Sequence, residues 1–363
     1  MKRIEEIDQN LQGKTSLSEG MSWYDVRKPP FRIYGLYRPE EPGKWRRLPT
    51  EVAEKMSEGA VFLHTNTSGG RIRFRTDSKR IALKAFLPSA CIMPHMAATG
   101  SCCFDLYADG HCISAFVPKV TYVDQFMPTF DLTNGCEAEL EFEDRTMRDI
   151  LIHFPLYNDV TEVLIGLEKG AALEEGGTYR QQKPVVFYGS SITQGGCASR
   201  PGNNYPAVLS RWLDFDFINL GFSGNGRAEE AIGDYIAGLS MSAFVYDYDH
   251  NAPTVDYLRK THYRMYRTVR DKNPRLPIIL ASRPNTCGSE AEIAERVEII
   301  LQTYERAREE GDQHIYFVSG QDILNSYDRE ICTVDGCHPN DFGFFCMAKA
   351  FAPVLEKVLF GEK

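Results

Sequence analysis

From Lys183 onward, apolar runs of strand length alternate five times with helix-length segments, and this alternation constrains the fold more than any other feature of the chain. The runs are PVVFYG (184–189), DFINLG (216–221), SAFVYDY (242–248), PIILAS (277–282) and HIYFVSG (314–320). Helical patterning covers the stretches around 205–213, 226–239, 254–272, 289–311 and 341–358. Continuous apolar runs suit strands covered on both faces, and helical crossovers make such a sheet parallel. The second half of the chain is therefore predicted to be a five-stranded parallel α/β sheet. Any site should be built from the loops at the carboxyl ends of its strands.

The first 180 residues have a different texture. Short runs (GAVFLHTN, GRIRFRT, RIALKAFLP, CCFDLYADG, CEAELEFED, DILIHFPLY and EVLIGLE) are separated by Gly, Pro, Asn and Asp. Short strands with frequent turn signals predict a β-sandwich. ADG at 108–110 predicts a hairpin turn, and EFEDRTMRDILIHF a second hairpin. GGTYRQQK (176–183) reads as a linker between a β-domain, 1–180, and an α/β domain, 181–363. No internal repeat or low-complexity segment is evident.

Composition narrows the function classes. With 43% hydrophobic and 25% charged residues the chain is an ordinary globular protein. A net charge of -9 argues against a nucleic-acid partner. No stretch approaches the ~18 apolar residues of a membrane span. The start, MKRIEEIDQNLQGKTS, lacks the apolar core of a secretory signal, so a cytoplasmic location is expected. The ten cysteines include no CxxC pair and no His at finger spacing. They are expected to be reduced and to act as small hydrophobes, with no metal and no cofactor.

The loops after the predicted strands carry the chemistry. Gly189-Ser190-Ser191 follows the first strand, where a helix N-terminus can direct backbone N–H groups at a developing oxyanion. Gly221-Phe222-Ser223-Gly224 follows the second, and its glycines permit close backbone approach to a ligand. Asp247-Tyr248-Asp249-His250-Asn251 follows the third; such a polar run is costly to bury without partners, so it should serve a site. Asp335-Gly336-Cys337-His338 precedes the final helix, and Asp and His three apart in a tight loop can hydrogen-bond, fixing the His tautomer. Arg200, and Arg283 with Asn285, also lie on the functional edge.

In this order on one sheet, these pieces resemble the SGNH hydrolase superfamily, also called GDSL esterases, whose four blocks place Ser, Gly, Asn and His at these strand ends. The resemblance covers 184–360 and implies a flavodoxin-like sheet. It implies that Ser191 is the nucleophile, His338 the general base and Asp335 the residue orienting it. It also implies an oxyanion hole from the Ser191 and Gly224 N–H groups and the Asn251 amide. Two blocks depart from the usual pattern. GDS is here Gly189-Ser190-Ser191, and GxND is replaced by DYDHN, which leaves Asn251 or a neighbour as donor. His250, Arg200 and Arg283 are candidates for substrate contact.

Some SGNH carbohydrate esterases carry a jelly-roll domain before the hydrolase domain, and this chain is similar to that architecture. With polar strand ends and no long apolar lid helix, the resemblance implies removal of a small acyl group, acetyl foremost, from a sugar hydroxyl. A lysophospholipase, thioesterase or sugar O-acyltransferase, and a non-catalytic carbohydrate-binding protein, remain alternatives. The expected partner is an acetylated oligosaccharide, with a homo-oligomer possible and neither nucleic acid nor membrane involved.

Overall fold

The computed structural model describes residues 7–8, 17, 19–117, 120–124, 127–130, 135–284, 288–324 and 329–361. Asn285 and most of the polar N-terminal stretch lie outside them. In the second half, the strands Phe215–Gly221, Gln181–Gly189, Ala243–Asp247, Ile278–Ala281 and Ile315–Val318 form one sheet in that spatial order. Every neighbouring pair is parallel. Alternate side chains face opposite sides, as strand geometry requires. Val185, Phe187, Val245 and Ile279 pack under the helices Tyr205–Leu213 and Asp341–Phe360. Val186, Tyr188, Phe244 and Leu280 pack with Ile232, Leu258 and Ile300 of the helices on the other face. The predicted flavodoxin-like α/β layer is thus present. Among the described residues, no helix is long and apolar enough to cross a membrane.

The first half contributes a two-stranded antiparallel ribbon, Val120–Asp124 with Met127–Phe130, and two larger antiparallel sheets. One has the order Met21–Asp25, Glu162–Glu168, Arg80–Phe86, Cys136–Glu141. The other has the order Leu173–Glu175, Arg71–Thr76, Arg148–His153, Phe104–Ala108, His111–Phe116, with Arg32–Tyr34 also on Arg71–Thr76. Their inner faces share one core, in which Ile81, Leu83 and Ile165 meet Phe74, Leu106 and Ile152. This is a sandwich of the predicted kind.

Two expectations for this half need correction. The ADG turn does close a hairpin, with Asp109 and Gly110 both at positive φ. EFEDRTMRDILIHF does not: Cys136–Glu141 pairs with Arg80–Phe86, whereas Arg148–His153 pairs with strands of the opposite sheet. Alternation identified both strands correctly, but each buries its apolar side by crossing between sheets. GAVFLHTN is not a strand. Glu58–Leu63 is a helix whose N-cap Ser57 accepts from the Ala60 amide at 3.0 Å. A capped N-terminus with an acidic first turn outweighed the apolar run.

The two halves meet along the open edge of the parallel sheet. Phe215–Gly221 is an edge strand, and its outward carbonyls are satisfied by buried arginines of the first half. Arg71 donates to Phe217 O at 3.1 Å, and Arg47 to Asn219 O at 3.2 Å and Gly221 O at 2.5 Å. Arg47 also donates to Leu63 O at 2.7 Å and lies over the Phe222 ring. Burial pushes its guanidinium down to about 9, which leaves it charged at neutral pH. Replacing Arg47 by Met should strand three buried carbonyls, each worth about 1–3 kcal/mol. We expect urea unfolding to show a loss of roughly 3–5 kcal/mol, only partly restored by Arg47→Lys, whose ammonium lacks the planar fork. A loss below about 1 kcal/mol would mean that water replaces the guanidinium.

A buried histidine makes stability depend on acid. His262 is 1% exposed, stacks on Tyr246 at 4.6 Å between centroids and shares a 2.9 Å hydrogen bond with Thr303 Oγ1. Burial holds the imidazole down at about 3. The unfolded chain binds this proton below about pH 6.5 and the folded chain does not, so stability falls as pH drops from there toward 3. His262→Gln removes that slope. The stability gap between parent and variant should narrow by about 2 kcal/mol between pH 7 and pH 5. A constant gap would place the histidine in water.

Candidate active site

The first strand ends at Gly189, and Ser190 caps the short helix Ser191–Gln194, its hydroxyl accepting from the Ile192 amide at 3.1 Å. Ser190 thus holds the turn that presents Ser191. Gly189 is obligatory here, since a Cβ would stand 2.2 Å from Asp247 O. Gly195 ends the helix at φ 109, and Cys197 follows in the left-handed region at φ 77.

Ser191 Oγ lies 2.9 Å from His338 Nε2, and His338 Nδ1 lies 2.7 Å from Asp335 Oδ2. A carboxylate on Nδ1 places the proton there and leaves the Nε2 lone pair to accept from the serine hydroxyl. The other oxygen of Asp335 accepts from the amides of Cys337 at 3.0 Å and His338 at 2.7 Å. Partial burial pulls the Asp335 carboxyl up, but donation from the His338 and Cys337 amides and the His338 ring outweighs it and holds it at about 2. Asp335 is therefore ionised wherever an imidazole titrates. The relay faces solvent, the side chains of His338 and Asp335 being 26% and 35% exposed. Asn340 caps the following helix by accepting from the Phe342 and Gly343 amides, which fixes the loop relative to the sheet.

The remaining candidates fall into two groups. Gly224 sits at φ 67 with open space where a Cβ would stand. Asn251 Nδ2 donates to Phe222 O at 2.8 Å, which ties the third loop to the second and leaves its other amide hydrogen for a ligand. His250 is half-buried, and its Nε2 has no hydrogen-bond partner among the described residues. The two arginines are engaged in the scaffold. Arg283 pairs with buried Asp249 at 3.3 Å and donates to its carbonyl at 3.0 Å. Arg200 donates to Asn203 Oδ1 at 3.0 Å and Tyr107 OH at 3.4 Å, on a strand of the sandwich.

The polar cluster after the third strand divides the same way. Burial, reinforced by the nearby Asp249 charge, pushes the Asp247 carboxyl far up, and its Oδ2 lies 3.3 Å from Tyr205 OH. Asp247 is a core group rather than a site group.

Three further groups neighbour the relay: Tyr157 and His95 escaped the sequence reading, and Cys197 reads as a choice between the pocket mouth and a core thiol, with the core favoured. The Tyr157 hydroxyl, from the first half, donates to Ser191 O at 3.4 Å. The His95 ring lies 6.0 Å from that of His338, also from the first half. Cys197 is 6% exposed, and burial, with the nearby Asp335 charge, pushes its thiol up to about 11. A strand-end rule cannot find residues delivered by loops of the first half, and the positive φ at Cys197 leaves no mark in the sequence.

Comparison with known proteins finds families and folds similar to both halves of the chain. Residues 182–356 match the GDSL-like Lipase/Acylhydrolase family, and residues 21–173 match the family described as the N-terminus of Esterase_SGNH_hydro-type. No curated protein matches the chain. Among solved structures, a protein described as a GDSL-like lipase from Bacteroides ovatus is 28% identical, with a TM-score of 0.78 over 93% of this chain and 98% of that one. The salicylyl-acyltransferase SsfX3 from a tetracycline biosynthetic pathway shares the fold at 19% identity, TM-score 0.75, over 94% of this chain and 100% of that one. An acetyl xylan esterase from the rumen bacterium Butyrivibrio proteoclasticus does so at 13% identity, TM-score 0.57, over 94% and 100%. With each half matched by its own family model, residues 182–356 by the GDSL-like lipase/acylhydrolase one, the chain is similar to the SGNH/GDSL hydrolases over both halves and is an esterase.

Proposed function

We propose that this protein is a serine esterase that removes small acyl groups, acetyl foremost, from carbohydrate hydroxyls. The observation that carries the reading is the continuous Ser191–His338–Asp335 relay, at 2.9 and 2.7 Å, open to solvent at the end of the sheet. His338 Nε2 takes the Ser191 proton as Oγ attacks the ester carbonyl. The imidazolium is stabilised by Asp335 and then protonates the departing sugar oxygen. Water, activated by the same nitrogen, releases the acyl group from Ser191. The Ser191 and Gly224 amides and Asn251 Nδ2 form the oxyanion hole.

The carbohydrate assignment draws on the polar loops around the relay and on the fold shared with an acetyl xylan esterase. The likeness to SsfX3 keeps acyl transfer as a second reading. Exposure of the relay favours water as the acceptor, because a transferase must exclude it. The reading also takes residues 1–180 and 181–363 as two domains that fold as one unit, since the first caps the edge strand of the second.

Ser191→Ala should lower ester turnover by several orders of magnitude, and a serine-directed phosphonate should label Ser191. An acetate-release screen over acetylated oligosaccharides should find the substrate. With nitrophenyl esters, acetyl should be cleaved best, butyryl poorly and octanoyl negligibly. An apolar acyl channel would instead add up to ~0.8 kcal/mol per methylene, so a preference for octanoyl would overturn the carbohydrate reading. Asp335→Asn should keep the fold and lower kcat by roughly 100-fold or more, through loss of the charge and the tautomer. Since Asp335 stays ionised down to about pH 2, the acid limb of the parent's rate profile should follow uptake of a single proton. A mild effect of Asp335→Asn would leave a Ser191–His338 dyad.

A further inference from the structure

Beside Ser191, three side chains from three separate loops converge. His95, Cys197 and His338 each bring one potential ligand atom within 4.8 Å of the other two. We propose that this trio is a reversible site for Zn2+ or a similar divalent transition ion, and that its occupancy switches the esterase off by capturing His338 Nε2.

The donor set fits the ion. Two imidazoles and a thiolate are zinc's preferred ligands, and a tetrahedral ion would keep a fourth position for water. The relay already supplies the outer shell. A metal-bound imidazole almost always donates its other N–H to a carboxylate or carbonyl, and His338 Nδ1 has Asp335 at 2.7 Å. The arrangement that aims Nε2 at the Ser191 hydroxyl therefore also aims it at a metal. Bonds of about 2.0–2.3 Å need ligand atoms roughly 3–4 Å apart. His95 is exposed and can close that gap by side-chain rotation, whereas Cys197 is buried and its backbone is held at φ 77. Solvent reaches the trio through His95 and His338, so an ion has a path in.

Binding involves no change of oxidation state. Cys197 releases its thiol proton to solvent and its sulfur binds the ion, while both imidazoles coordinate as neutral groups. The Ser191 hydroxyl then loses its proton acceptor. Inhibition rests on His338 being the base of the esterase; binding does not.

The test uses the full chain, freed of metal with EDTA. Micromolar Zn2+ should abolish cleavage of nitrophenyl acetate, EDTA should restore it, and Mg2+, a hard oxygen-seeking ion, should have no effect. His95→Ala and Cys197→Ala should each weaken Zn2+ inhibition at least ~10-fold, read against each variant's own metal-free rate. Co2+ reads binding without reference to turnover. Its sulfur charge-transfer band in the near ultraviolet should appear with the parent chain and vanish in Cys197→Ala. Absence of that band, or Zn2+ inhibition unchanged in both variants, would overturn the site. A cobalt band in a chain that cleaves no ester would keep the metal site and sink the esterase reading.

Discussion

Buried guanidinium groups on backbone carbonyls close this structure. A parallel sheet has an open edge, and its strand-end loops carry carbonyls that no ladder satisfies. Arg47 and Arg71 serve the edge strand at Phe217, Asn219 and Gly221. Arg296 serves the third loop at Asp249 O and Ala252 O, at 3.0 and 3.2 Å. Arg270 serves Asn273 O and Leu276 O. All four are nearly or fully buried. An arginine suits this role because its five donors lie in one plane and reach several acceptors at once. Removing any of them leaves acceptors in a place that water does not readily reach.

The consequence for the site is that both halves build it. Gly221, where Arg47 lands, is the last residue of the strand that leads into the Ser223–Gly224 loop. That loop is held from the first half a second time, since Ser57 Oγ donates to Asn225 Oδ1 at 2.8 Å. From the second half, Gln194 Oε1 accepts from the Ser223 amide at 3.0 Å and its Nε2 donates to Leu156 O at 3.1 Å. The helix bearing Ser191, the Gly224 loop and the sandwich are therefore one hydrogen-bonded unit. A change at the domain junction should be felt in the geometry of the relay before it is felt as global unfolding.

What the sequence made legible follows from what it encodes locally. The five strands and their helices were readable because burial on both faces demands continuous apolar runs, and their boundaries match within a few residues. The meeting of Ser191, Asp335 and His338 was readable because the sheet's topology brings the loops beyond its strands to one end. Partner choice was not readable: alternation along CEAELEFED and DILIHFPLY shows strands but not which sheet each joins. Nor could the sequence separate an arginine awaiting substrate from one already bound. Arg283 looked available in a strand-end loop, yet Asp249 takes its charge. Asp247, Asp249, His250 and Asn251 lie close together in sequence but are placed differently: Asp247 ends the strand inside the core, and a 3-10 turn over Asp249–Asn251 buries Asp249 and leaves His250 and Asn251 half-buried.

The same geometry sets a conflict that the fold must manage. A serine esterase needs an imidazole with a free Nε2, oriented from behind by a carboxylate and reachable by water. Each of these properties also describes a metal ligand, and only the neighbours decide between the two. Most serine hydrolase chemistry would be safe beside a carbon side chain. Here Cys197 and His95 stand at the relay, one buried and one exposed. Burial and the Asp335 charge both raise the Cys197 thiol, so on the proposed reading an ion would have to displace the sulfur's proton to bind. On the proposed reading, Asp335 orients His338 both as a base and as a ligand, while its charge opposes loss of the Cys197 proton, so one carboxylate acts on the two functions in different senses.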